Sequence, residues 1–186
     1  MKQLLISLAL LLSFQFSFSQ ITVEPPSEGK SVIYFIRTAS PGPLMNFKFF
    51  DKDEYLGRFN GVNYFRYECE PGKHLFWVKS ENFDFVEADL KAGGVYFLEV
   101  KGRLGAISAA SKFFLVDYED EKQMKRITKV FNKAEGVVMD QEELNEKYDK
   151  IKDRLPQTMR QIQVSRTKRP NKVKRITQDM TYSIKE

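Results

Sequence analysis
Between Ser31 and Tyr118 the chain alternates short runs of aromatic and β-branched residues with turn residues, at a spacing of eight to twelve positions. That rhythm is the signature of an all-β sandwich or barrel. The runs are 31–37, 44–50, 55–59, 62–69, 73–80, 83–90, 94–101 and 107–118, and no helical pattern long enough for a βαβ crossover separates them. Asn60-Gly61 predicts a tight turn joining 55–59 and 62–69 as a hairpin, since this pair best tolerates positive φ at both central positions. If Pro71-Gly72 is also a two-residue connection, Cys69 faces His74, Tyr67 faces Phe76 and Phe65 faces Val78, with Arg66 opposite Trp77 on the other face. A Pro-Gly turn suits hairpin twist less well, so a crossing between sheets is the alternative there.

After Tyr118 the apolar period lengthens to that of a helix. Met124, Ile127 and Phe131 share one face, and Gly136 interrupts. Asp140 with Glu143 predicts an N-cap, and Leu144, Tyr148, Ile151 and Leu155 form a stripe that Pro156 is expected to end. Residues 157–175 hold seven cations, no acid and few large apolar residues, which predicts disorder in isolation. A weak alternation at Met180, Tyr182 and Ile184 is compatible with one more strand.

The fold expectation is therefore mainly β: an antiparallel β-sandwich of about seven to eight short strands, then C-terminal α-helices and a basic tail. Its divisions are a signal peptide at 1–19, a linker at 20–30, the sandwich at 31–118, a helical appendage at 119–156 and the tail at 157–186. The leader reading rests on Lys2, the apolar run Leu4 to Leu12 and small residues at Ser17 and Ser19, with cleavage before Gln20. The apolar run is shorter than the ~20 residues that span a bilayer. The expected product is exported, periplasmic or secreted, with no transmembrane segment.

Charge sharpens this division. The chain has 186 residues and a net charge of +5, yet 20–119 holds 12 Lys+Arg against 14 Asp+Glu, while 120–186 holds 17 against 11. The basicity belongs to the C-terminal third. One Cys excludes an internal disulfide framework, and one His excludes sites built on two imidazoles.

VIYFIR (32–37), YLGRF-NG-VNYF (55–65), E-PGKH (70–74) and AGGVYFLEV (92–100) resemble the bacterial exported family known as domain of unknown function 2846. The resemblance covers about 32–118 and implies an exported β-domain with no established activity. Many members carry a lipid on a cysteine next to the cleavage site. The cysteine here, Cys69, lies far from it, which implies a chain that is not a lipoprotein.

Cys69 and His74 are the pair that could do covalent chemistry, the imidazole taking the thiol proton. Against that stands the reading of Cys69 as a small buried hydrophobe without an orienting third residue. Asp51-Lys52-Asp53-Glu54 and the acids of 117–121 are clusters that could hold calcium; the first fails the calcium-loop pattern, and both read as solvated loops. Asp84, Glu87 and Asp89 read as the polar face of one strand. Phe47, Phe49 and Phe50, or the Arg66/Trp77 face, are candidates for an exposed patch. The tail cations Arg166, Lys168, Arg169, Lys172, Lys174 and Arg175 are the candidate partner-binding residues. No aromatics interleave 157–175 for base stacking, so the expected partner is an anionic envelope polymer or an envelope protein and not a nucleic acid. No catalytic residue, metal or cofactor is expected, and the reading is a non-enzymatic binding module, with a thiol enzyme centred on Cys69/His74 as the alternative.

Overall fold
The computed structural model describes residues 21–39, 45–104 and 109–184. The leader read at 1–19 and the Pro41-Gly42-Pro43 turn lie outside the described residues. Strands β1 (Ser31–Arg37), β4 (Asn63–Cys69), β7 (Val95–Leu104) and β8 (Ala109–Leu115) form one sheet in the order β4-β1-β7-β8. Strands β2 (Phe47–Asp51), β3 (Glu54–Phe59), β5 (Gly72–Lys79), β6 (Phe83–Leu90) and β9 (Lys174–Ile176) form the other, in the order β3-β2-β5-β6-β9. The mainly-β, sandwich-like expectation holds. Both sheets are nevertheless mixed, because β1 runs parallel to β7 and β6 parallel to β9.

All seven residues of β1 are buried. A strand apolar on both faces needs a neighbour on each edge and a cover on each side. Its inward residues Ile33 and Phe35 meet Phe49, Phe65, Phe76 and Phe113 between the sheets, with Phe35 stacked on Phe65 at 4.8 Å. Its outward residues Val32, Tyr34 and Ile36 are covered by helix α1 (Glu121–Phe131) through Ile127 and Val130. Asp120 caps α1 by accepting the Lys122 and Gln123 amides. Gln123 then donates to the fully buried Glu99 carboxylate at 2.8 Å, tying helix to sheet.

The second sheet is covered likewise. Helix α2 (Gln141–Asp149) is capped by Asp140, as the sequence predicts, and a short 3-10 turn at Lys152–Arg154 leads into α3 (Leu155–Lys168). Leu155 and Ile162 bury themselves against Phe50, Leu75 and Trp77, where the Phe50 and Trp77 rings stack at 3.8 Å. Pro156 opens α3 and does not terminate a helix, because proline's missing amide has no intrahelical partner in a first turn anyway.

Three further expectations change. The Asn60-Gly61 turn keeps its positive φ at Gly61 but carries the chain from one sheet to the other, since β3 pairs with β2 and β4 with β1. Pro71-Gly72 is likewise a crossing, so Cys69, Tyr67 and Phe65 do not pair across a hairpin with His74, Phe76 and Val78, nor Arg66 with Trp77. Phe47, Phe49, Phe50 and Trp77 are all buried, which removes both proposed exposed patches.

The basic tail folds. Residues 155–168 are helical, β9 extends the second sheet, and Ile162 and Ile176 are buried. Beyond β9 the chain crosses to the first sheet, where the Tyr182 amide donates to the Val95 carbonyl at 2.8 Å and its ring stacks on Phe97 at 4.7 Å. Among the described residues, no helix is long and apolar enough to cross a membrane.

Candidate functional site
The six tail cations divide into two groups. Glu87, on the outer face of β6, takes Arg166 at 2.6 Å on one oxygen and Arg175 at 3.0 Å on the other. Asp84, three positions away and so on the opposite side of the strand, pairs with Lys174 while also accepting the Phe113 amide of β8 at 2.7 Å, and Asp89, on the same side as Glu87, accepts from Gln178 at 3.0 Å. The acids of β6 thus hold the tail, and what reads as a solvated polar face is its counter-charge. Lys168, Arg169 and Lys172 make no ion pair among the described residues. They stand around a cleft of about 460 Å³ floored by Phe85, Val164 and Val173, with Val164 half exposed.

The Cys69/His74 pair acquires a third residue. The β2–β3 turn is pinned over β5: the Lys52 amide donates to the Leu75 carbonyl at 2.9 Å, and the Trp77 indole N–H to the Lys52 carbonyl at 2.6 Å. This brings Asp51 onto the His74 ring. Its Oδ1 accepts the Leu75 amide at 3.2 Å and its Oδ2 lies 2.5 Å from His74 Nδ1. The other ring nitrogen, Nε2, sits 2.8 Å from the Glu70 carbonyl. A carboxylate on one side and a carbonyl on the other are both acceptors, so both nitrogens donate and the ring is an imidazolium. Burial opposes that charge, but the hydrogen bond to Asp51 and the neighbouring Cys69 sulfur outweigh it and raise His74 to about 10. Both N–H groups are thus engaged by Asp51 and Glu70, and Cys69 itself is buried.

A third feature lies where the edge strands β3 and β4 face each other. Residues 137–139 strap this seam: the Val137 amide donates to the Tyr64 carbonyl at 2.8 Å, and Met139 fills the space beside Gly57. A cleft of about 730 Å³ remains beside the strap, walled by Tyr55, Phe65, Arg66, Tyr67, Met139 and Tyr148. Burial holds the Tyr55 phenol up at about 12, and burial with Glu54 beside it raises Tyr67 further, so both walls are neutral donors.

Sequence reasoning named the tail cations, the acids of β6 and Asp51, but not the pairing of the cations with those acids, nor that of Asp51 with His74, 23 positions away. No family model matches the chain, and no curated protein matches it.

Proposed function
We propose that this chain is an exported, non-enzymatic binding module of the cell envelope that attaches to an anionic partner through its folded C-terminal corner. The observation that carries the reading is the division of the tail cations: Arg166, Lys174 and Arg175 pair with Glu87 and Asp84, while Lys168, Arg169 and Lys172 make no ion pair among the described residues and surround a cleft that includes Phe85, Val164 and Val173. Cations on an apolar floor suit a partner with closely spaced negative charges and some hydrocarbon between them, such as an envelope polymer or an acidic protein surface. Export is supported by the leader pattern and by the resemblance of 32–118 to an exported family. The burial of Cys69 speaks against the thiol-enzyme alternative.

The test is co-sedimentation of the purified chain with native envelope at low and moderate salt. Replacing Lys168, Arg169 and Lys172 by Gln is expected to abolish salt-sensitive retention without altering the melting temperature. Retention equal to that of the unmodified chain would overturn the proposal.

A further inference from the structure
The second sheet carries a row of like charges that its register makes unavoidable. Lys48 on β2 lies directly opposite Arg58 on β3 and directly opposite Lys79 on β5. Residues opposed in register share a face, with Cβ atoms about 5 Å apart. Phe47 and Phe49 point into the core, so this face is the outer one. The adjacent row, Phe50, Trp77 and Phe85, is roofed by α3, whereas the cationic row borders that roof. Lys147 of α2 and Arg154, just before α3, add their charges to the same place, so the charges acting on Lys48 besides burial are four cations. Glu143 binds Arg58 at 3.2 Å, but Lys48, Lys79, Lys147 and Arg154 make no ion pair among the described residues.

Like charges directly opposite one another weaken a sheet, and here three stand in a row with two further cations acting on Lys48. A half-buried lysine in the middle of such a row is held at a cost that an anion would relieve. Burial and the surrounding cations lower the Lys48 ammonium below the usual lysine range, in keeping with that crowding.

We infer that the Lys48–Arg58–Lys79 row, with Lys147 and Arg154, is a binding site for a phosphate-type oxyanion. It is distinct from the Lys168/Arg169/Lys172 corner and does not depend on it. Arg58 presents a planar donor fork and the lysines are point charges, a combination suited to a tetrahedral anion with three exposed oxygens. The phosphate could belong to a lipid headgroup or to a soluble species, and the chemistry at the row is the same.

The experiment uses the full chain and inorganic phosphate. At constant ionic strength, replacing chloride by about 10 mM phosphate is expected to raise the melting temperature by about 3 °C for a millimolar site. Lys48→Gln and Lys79→Gln should each lose that rise, and in chloride alone Lys48→Gln should melt no lower than the unmodified chain, because it relieves repulsion. Substitution of Lys168, Arg169 and Lys172 should leave the phosphate effect intact. Vesicles of phosphatidylglycerol against phosphatidylcholine separate the sources: flotation with the anionic vesicles that is lost in Lys48→Gln assigns the site to a headgroup, and a phosphate effect without flotation assigns it to a soluble phosphate. A melting temperature indifferent to phosphate, a phosphate effect that survives Lys48→Gln, or a Lys48→Gln chain that melts lower in chloride would overturn the inference.

Discussion

The imidazole of His74 rests flat against Phe76 with an acceptor on each nitrogen, and its side chain is only 9% exposed. Its proton is held far more tightly in the folded chain than in the unfolded one, where a histidine titrates near ~6.5. The folded state therefore binds the extra proton between about pH 6.5 and 10, so this contribution is complete below that window and lost as pH rises through it. Denaturant unfolding should show stability falling from pH 7 to pH 10. In Asp51→Asn that slope should flatten, and stability at pH 7 should drop by about 1–3 kcal/mol. Equal slopes in the two proteins would remove Asp51 as the cause. Gly57 makes a second prediction at this scale. Its φ of 132° disfavours any side chain, and an added Cβ would come within 2.4 Å of the Met139 sulfur. Gly57→Ala should lose about 1–3 kcal/mol in urea unfolding. Adding Met139→Ala should restore only the part due to the clash.

Among the elements, the strands were the legible part. β1 and β6 lie where the sequence predicts strands, at 31–37 from a continuous apolar run and at 83–90 from an alternation of apolar and polar residues. Their partners were not legible. Asn60-Gly61 satisfies its local turn preference, but β4 goes to β1, whose two apolar faces need both edges occupied and both sides covered. The tail failed for a similar reason. Ile162 and Ile176 are isolated apolar residues among cations, and what orders them is a set of acids on β6 some 80 to 90 positions upstream. No window along the chain contains both halves of that arrangement. The candidate site was legible to the same extent: the cations could be read, whereas the row formed by Lys48, Arg58 and Lys79 exists only because the strand order is β3-β2-β5.

For the whole molecule, each outer sheet face is roofed by helices drawn from the C-terminal third, so the basic end is part of the fold and not an appendage. A chain ending at residue 156 would lose most of α3 and all of β9 and bare Phe50, Leu75 and Trp77. It should bind an apolar dye and melt with reduced cooperativity, and the emission of Trp77, the lone tryptophan, should shift to longer wavelength. Unshifted emission and a sharp transition would show that the sandwich is complete without its roof. Substitution of single cations, and not truncation, is accordingly the way to separate binding from folding.

The last described stretch reaches both layers, β9 lying along β6 and Tyr182 lying against Phe97. Contacts of such sequence separation form slowly and only once both partners exist. Until β9 and Tyr182 dock, the β6 edge of the second sheet stays open and Phe97 lacks one of the four rings that surround it.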